Sequence, residues 1–288
     1  MKLKASISIF VLIVITVALF VGCSDSDSII QSLIDISGAP LKYDDSAAVM
    51  HLNVAAVCMQ CSMNKEENIT RMKGFISQIV SEKPETQLIV FGETALGRYY
   101  GLKEPEAYQR SIAETIPGPA VLTFGDIADS LDIYIAFGLP ELKSDTLFNS
   151  LVLLNPQGEI EGIHRKVHLV AEDIESGFTA SNNKTIVYIE GIKTGMIICA
   201  DVNSFALTEY LVKEEIGLLI HSLASLANDF KIDNVARQFN SWVIFANRYG
   251  QEGDQFSFGT CYISDPSGTI RVGGEGKERY LYYRTGVY

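Results

Sequence analysis

Short apolar runs alternate with amphipathic segments along most of this chain, and that alternation limits the folds open to it. Gln87–Phe91 and Met196–Ile198 have the length and apolar character of buried strands. Asn68–Val80 instead repeats its apolar residues at helical spacing. The alternation predicts a layered α/β domain, and hairpin turns such as Asn155–Gly158 predict sheets that mix parallel and antiparallel strands.

One domain is predicted over residues 47–288, because the sequence shows no internal repeat and no second linker. The hydrophobic content of 47% is enough for a sizeable core. Strands are predicted at about 50–58, 87–91, 133–139, 149–154, 184–190, 194–198, 217–222, 242–248 and 257–264, with two more near the end of the chain. Another strand returns from the turn Asn155–Gly158 and runs into residues 162–169. Helices are predicted at about 68–80, 105–114, 119–130, 205–215 and 229–240.

Residues 1–22 have the pattern of an export signal, with Lys2 and Lys4 ahead of an apolar run. Leu19-Phe-Val-Gly-Cys23 and the polar residues after it resemble the lipobox of a bacterial lipoprotein. That resemblance implies that Cys23 is lipidated and that residues 23–46 tether the domain to a membrane. The alternative is an uncleaved membrane anchor, since the apolar run approaches the length of a membrane span. Both readings predict a membrane-anchored protein outside the cytoplasm.

The net charge of −12, without a basic cluster after the leader, argues against nucleic-acid binding. Cys58 and Cys61 have CxxC spacing, but Cys58 still belongs to a strand pattern and no second cysteine or histidine pair completes a ligand set. His164 and His168 flank Lys166 and lack a third ligand. We therefore predict neither a metal nor a cofactor.

Glu93, Lys166 and Cys199 each follow a predicted strand, where catalytic groups collect in α/β sheets. A thiol, a carboxylate and an ammonium suffice for acyl transfer, because they supply a nucleophile, a proton acceptor and a cation for the oxyanion. The backbone N–H groups of a helix after Cys199 are expected to lower the pKa of its thiol. The alternative is that Cys199 is a structural core cysteine.

Three sequence blocks around these residues resemble the carbon–nitrogen hydrolase (nitrilase-like) superfamily. They are Leu88-Ile-Val-Phe-Gly-Glu-Thr94, His164-Arg-Lys-Val-His-Leu169 and Gly195-Met-Ile-Ile-Cys-Ala-Asp201. The resemblance implies a four-layer α-β-β-α sandwich that forms a homodimer. It also implies that Glu93 is the general base, Lys166 the oxyanion cation and Cys199 the nucleophile. Many members carry a second glutamate after the lysine, and Glu172 is favoured over Glu175 for that role. The alternative for each is a solvated loop carboxylate.

The resemblance favours an amidase that acts on a small-molecule amide or acyl substrate through a cysteine thioester. Tyr99 and Asn203 lie in loops that are expected to form the pocket walls, so they are predicted to contact the substrate. An N-acyltransferase that uses the same thioester, a nitrile-hydrolysing enzyme and a catalytically inactive lipoprotein binding module remain as alternatives.

Overall fold

The computed structural model describes residues 44–226 and 232–287. The predicted leader 1–22, Cys23 and most of the predicted tether lie outside these ranges, so lipid attachment and membrane location stay predictions. Within the described ranges, no helix has both the length and the apolar character needed to cross a membrane.

Two six-stranded mixed sheets form the centre of the fold. The first sheet has the order β14-β1-β2-β3-β4-β5 and the second has the order β13-β12-β9-β8-β7-β6, while β10 and β11 form a separate hairpin. In each sheet the central strands pair in parallel and the outer strands pair antiparallel. The strands are β1 (Met50–Cys58), β2 (Leu88–Val90), β3 (Tyr134–Lys143), β4 (Thr146–Leu154), β5 (Ile160–Arg165), β6 (Ile186–Ile189), β7 (Ile192–Ile198), β8 (Leu218–Ser222), β9 (Trp242–Ala246), β10 (Tyr249–Glu252), β11 (Gln255–Phe258), β12 (Cys261–Ser264), β13 (Ile270–Gly274) and β14 (Arg279–Val287).

Helices cover the outer face of each sheet. The described helices are α1 (Lys65–Glu82), α2 (Pro105–Ile112), α3 (Pro119–Leu131), α4 (Ala171–Glu175), α5 (Phe205–Lys213) and α6 (Ile232–Phe239). Apolar side chains of α1 and α3 pack on the first sheet, and those of α5 and α6 pack on the second. A third apolar cluster fills the space between the sheets. These layers confirm the predicted α-β-β-α sandwich.

Local chemistry explains where the element boundaries differ from the sequence prediction. Helix α1 begins three residues before Asn68, because the side chain of Asn64 accepts hydrogen bonds from the backbone N–H groups of Glu66 and Glu67. The predicted strand 257–264 is two strands, β11 and β12, because the chain turns at Gly259 with a φ of +67°. The hairpin β10–β11 and the short helix α4 were not predicted from the sequence.

Glycines let the backbone after β2 fit closely between the two sheets. A Cβ at Gly138 on β3 would lie 2.7 Å from the Cα of Glu93, and one at Gly92 would lie 2.9 Å from the carbonyl oxygen of Leu223. Larger residues at these positions would push the Glu93 segment away from its neighbours. The backbone around Glu93 is therefore fixed by strands of both sheets.

Candidate active site

The side chains of Glu93, Lys166 and Cys199 lie together where strands of both sheets end. Glu93 follows β2 and Lys166 follows β5 in the first sheet, while Cys199 directly follows β7 in the second. The Nζ of Lys166 is 2.7 Å from Oε1 of Glu93. The backbone N–H of Ala224 donates to Oε2 of Glu93 at 2.8 Å, and the charges of Glu93 and Lys166 both act on the pKa of the Cys199 thiol. The sequence prediction that these three groups share one site agrees with this geometry.

Glu93 is fully buried, and both of its carboxylate oxygens are occupied. Oε1 accepts hydrogen bonds from Asn149 Nδ2 at 2.6 Å and from Lys166 Nζ, while Oε2 accepts the Ala224 N–H. Burial raises the pKa of Glu93, the Asp173 carboxylate adds to the rise, and the Lys166 ammonium opposes it. The carboxyl can therefore exchange a proton at a higher pH than an exposed glutamate can.

The Lys166 ammonium bridges two carboxylates inside the protein. Its Nζ lies 2.7 Å from Glu93 and 2.7 Å from Asp173, and the side chain is fully buried. It also lies 5.7 Å from the centre of the Tyr99 ring. Burial alone would lower the pKa of Lys166, but Glu93, Cys199 and Asp173 outweigh it and leave that pKa raised. Lys166 therefore stays charged throughout the physiological pH range.

The carboxylate beside Lys166 is Asp173, and Glu172 does not take the position predicted for it. Oδ1 of Asp173 accepts hydrogen bonds from the Tyr99 hydroxyl at 2.7 Å and from Asn149 Nδ2 at 3.1 Å. Glu172 and Glu175 are both exposed. Neighbouring residues of a helix point in directions about 100° apart, so only one of residues 172 and 173 on α4 can face the lysine. The sequence prediction looked for a glutamate and therefore missed the shorter aspartate.

Cys199 has a left-handed backbone with a φ of +43° and opens a 3₁₀ turn, Cys199–Asn203. Its side chain is half-buried. Burial raises the pKa of the thiol to about 12, with the Glu93 carboxylate adding to the rise and Lys166 opposing it. The pKa is raised and not lowered as expected, because desolvation and the Glu93 carboxylate outweigh the effect of the Ala224 backbone N–H. The resting sulfur is a thiol and needs a proton acceptor to become a nucleophile.

One buried carboxylate, that of Asp201, fixes the segments that carry Lys166 and Cys199. Oδ1 of Asp201 accepts hydrogen bonds from the backbone N–H groups of Val167 and His168, each at 2.8 Å. Oδ2 accepts one from the backbone N–H of Ile198 at 2.9 Å, and it lies 2.8 Å from His164 Nε2. The lysine segment of the first sheet and the cysteine segment of the second are thereby tied together.

Replacing Asp201 with asparagine is expected to destabilise the fold and slow any reaction at Cys199. Burial raises the pKa of Asp201, but hydrogen bonds from His164 and the backbone outweigh it and leave that pKa lowered. An asparagine turns its NH₂ towards donors, so we expect a loss of about 2–4 kcal/mol in the free energy of unfolding. Urea unfolding and kcat/KM measure the two effects. Asp126→Asn, at an exposed position on α3, is the control, and an Asp201→Asn variant as stable as the control would contradict this role.

A buried ion pair between Arg248 and Glu252 supports the loop behind Glu93. Nη2 of Arg248 donates to the carbonyl oxygen of Glu93 at 2.7 Å. Oε2 of Glu252 accepts the backbone N–H groups of Tyr99 and Tyr100 at 2.8 and 2.9 Å. This pair could not be predicted from the sequence, because Arg248 lies 155 residues after Glu93. No local motif marks such a contact.

A cavity of about 240 Å³ borders the site at the loop that follows β2. Tyr99 and Tyr100 line it together with Glu172 and Glu175. The hydroxyl of Tyr100 donates to the carbonyl oxygen of Ala224, whose N–H contacts Glu93. Tyr99 is buried and lines this cavity, so its contact with a substrate stays a prediction. Asn203 is exposed and does not line this cavity.

Metal ligation has little support in the described ranges. Of the two histidines that flank Lys166, His164 bonds to Asp201 and to Thr185 Oγ1. Across residues 44–226 and 232–287, no group of three or more His, Cys, Asp or Glu side chains is arranged to hold a metal ion.

Known structures share this fold. The chain superposes on Saccharomyces cerevisiae Nit3, a member of branch 10 of the nitrilase superfamily, with a TM-score of 0.74, 21% identity, and coverage of 83% of this chain and 91% of Nit3. It also superposes on a variant of the amidase from Nesterenkonia sp. AN1, whose active-site cysteine carries acrylamide from a Michael addition. That match has a TM-score of 0.71 and 15% identity and covers 80% of this chain and 92% of the amidase.

Sequence comparison extends the similarity beyond the fold. Omega-amidase NIT2 of Homo sapiens is 26% identical over 245 residues, which is 80% of this chain and 86% of that protein. The family model for carbon-nitrogen hydrolases matches residues 53–284, which include all three sequence blocks around Glu93, Lys166 and Cys199. The chain therefore belongs to the carbon-nitrogen hydrolase family, the nitrilase superfamily, and is a hydrolase of carbon–nitrogen bonds other than peptide bonds.

Proposed function

We propose that this protein hydrolyses a small-molecule amide through a thioester on Cys199, with Glu93 as general base and Lys166 as the oxyanion cation. The observation that carries the proposal is the buried Lys166 ammonium, 2.7 Å from Glu93, with both charges acting on the Cys199 thiol. The names of similar amidases support the choice of an amide substrate.

In the first half of the reaction, Glu93 takes the thiol proton as the sulfur of Cys199 attacks the amide carbon. The negative oxygen of the tetrahedral intermediate faces the Lys166 ammonium, which stabilises it. Glu93 then gives the proton to the leaving nitrogen, the C–N bond breaks, and the amine departs. The acyl group remains on sulfur as a thioester.

In the second half, Glu93 takes a proton from a water molecule whose oxygen attacks the thioester carbon. The second tetrahedral intermediate collapses, the C–S bond breaks, and Glu93 returns the proton to sulfur. The net reaction consumes one water and yields a carboxylic acid and an amine. Asp173 holds Lys166 in place and takes no part in proton transfer in this scheme.

Peptide mass spectrometry of the protein, quenched during turnover, tests this proposal. The protein is mixed with a panel of small primary amides and quenched in acid, and an acyl mass is expected on the peptide that contains Cys199. Adding hydroxylamine should release the acyl group as a hydroxamate, because hydroxylamine attacks thioesters. Ammonia release without any acyl mass or hydroxamate would contradict the thioester.

The same thioester also serves an acyltransferase, and product analysis separates the two outcomes. Hydrolysis predicts that the carboxylic acid remains the main product when simple amines are added at millimolar concentration. A product that becomes mainly the new amide would show that an amine is the natural acceptor.

The predicted homodimer stays a prediction.

The pH dependence of kcat/KM is expected to have an acidic limb above the ordinary glutamate pKa of about 4.3. Glu93 acts as a base only when it is ionised, and burial raises its pKa, so the rate should rise as pH increases through that raised value. The thiol pKa of about 12 predicts no alkaline limb from Cys199 near neutral pH. Rate measurements from about pH 4 to 9 test both points, with Trp242 fluorescence as the control for folding. A limb at or below the ordinary value would contradict the role of Glu93.

A further inference from the structure

Two cysteines outside the site face each other between the sheets. Cys58 ends β1 of the first sheet and Cys261 begins β12 of the second. Both side chains are fully buried in the apolar cluster between the sheets, and the Cys261 thiol is close enough to Cys58 to raise the pKa of Cys58. The contact therefore joins two residues that are far apart in sequence and belong to different layers.

The backbone near Cys261 comes unusually close to the sulfur of Cys58. A Cβ at Gly259 would lie 2.7 Å from Sγ of Cys58, and Gly259 has the left-handed φ of +67°. Because the residue is glycine, the chain that leads into β12 can pack against that sulfur. The segment two residues before Cys261 is thereby held against Cys58, and a disulfide requires two cysteines whose Cα atoms lie only about 4.4–6.8 Å apart.

The CxxC spacing of Cys58 and Cys61 does not produce a pair. Cys58 points into the layer between the sheets, whereas Cys61 packs in the cluster between the first sheet and its helices. The Cys61 thiol donates a hydrogen bond to the carbonyl oxygen of Ala95 at 3.7 Å. The two cysteines nearest in sequence thus lie on opposite faces of the first sheet, and Cys58 meets Cys261 instead.

We infer that Cys58 and Cys261 form an intramolecular disulfide when the chain folds in an oxidising compartment. The thiolate of one cysteine attacks a sulfur of a small-molecule or protein disulfide and releases one thiol. The second cysteine then attacks the mixed disulfide, forms the Cys58–Cys261 bond and releases the other thiol. The two cysteines lose two protons and two electrons, and the donor disulfide is reduced to two thiols.

The bond should close during folding and open slowly afterwards. The neighbouring Cys261 and burial raise the pKa of Cys58, so the reduced, folded protein holds almost no thiolate at this position for exchange. Once formed, the disulfide would join the two sheets beside the site. Sγ of Cys261 accepts the backbone N–H of Asn247 at 3.3 Å, and Oδ1 of Asn247 accepts that of Ser225, the residue after Ala224.

Refolding of the full chain tests the inference. The denatured, reduced protein is refolded either in a mixture of oxidised and reduced glutathione or in excess reductant. It is then denatured again, alkylated and mapped by peptide mass spectrometry. We expect one bond between the Cys58 and Cys261 peptides after oxidative refolding, with Cys61 and Cys199 alkylated. The oxidised form should melt about 5–10 °C above the reduced form, because the bond closes a very long loop.

Matched variants assign the effect to this pair. Cys58→Ala and Cys261→Ala should each lose both the bond and the redox-dependent difference in Tm, while Cys61→Ala should keep both. Alkylation of Cys58 and Cys261 in the oxidatively refolded wild-type protein would overturn the inference, and so would a Cys58–Cys61 bond. The wild-type peptide map decides the matter even if an alanine variant fails to fold. These readouts are independent of catalysis, so they also stand if the proposed reaction is wrong.

Discussion

Cys199→Ala is expected to abolish amide turnover and leave the fold unchanged. The alanine removes the only atom that can form the thioester, and loss of a nucleophile lowers kcat by a factor on the order of 10⁵ or more. The side chain is half-buried and is not part of a salt bridge, so we expect little change in the free energy of unfolding. Steady-state rates with the best amide, together with urea unfolding, measure both quantities.

Cys61→Ala is the matched control, because it removes a buried thiol from the apolar cluster between the first sheet and its helices, away from Cys199. It should lose some stability through the small cavity and keep normal kcat. Ammonia release by Cys199→Ala at more than a few per cent of the normal rate would refute the nucleophile assignment. Equal losses in the two variants would point to a structural effect of cysteine removal.

Lys166→Ala is expected to lower kcat/KM by at least about 10²–10³, the usual value of one oxyanion donor. The structure adds a second reason for a large effect, because the ammonium also separates the buried carboxylates of Glu93 and Asp173. Without it, the pKa of Glu93 should rise further, and the acidic limb of the rate profile should move to higher pH. Leaving two buried carboxylates unpaired should also cost about 3–5 kcal/mol of stability.

The double variant Lys166→Ala, Asp173→Asn separates stability from chemistry. Removing the second carboxylate relieves the repulsion, so stability should recover in part while the rate stays low. If the rate recovered together with stability, Lys166 would act only as a structural cation. A single Lys166→Ala variant with less than a tenfold loss would also show that the proposed role is wrong.

The parts of the site that follow strands were accessible from the sequence. Glu93, Lys166 and Cys199 each come directly after an apolar or hairpin strand, and strand order brings such positions to one edge of the sandwich. The family resemblance depended on these same short blocks. Periodicity therefore predicted a layered α/β domain with mixed sheets, and local motifs marked the three central side chains. The four-layer sandwich was implied only by the family resemblance.

The supporting contacts were not accessible in that way. Asp173 faces Lys166 because of the phase of a five-residue helix, which is too short to leave a periodic signal. Arg248 directly precedes β10 and Glu252 ends it, and the β10–β11 hairpin was not predicted from the sequence. The raised thiol pKa of Cys199 depends on how completely the folded chain excludes water, and composition does not record that.

The protonated state of Cys199 at rest has a consequence for chemical damage. Hydrogen peroxide and similar oxidants react with thiolates, and a sulfur whose pKa is about 12 offers almost none at neutral pH. Under the proposed reaction, such a sulfur resists conversion to sulfenic acid until Glu93 removes its proton during attack on a bound carbonyl group. The desolvation that raises this pKa would thus protect the thiol from oxidants between turnovers.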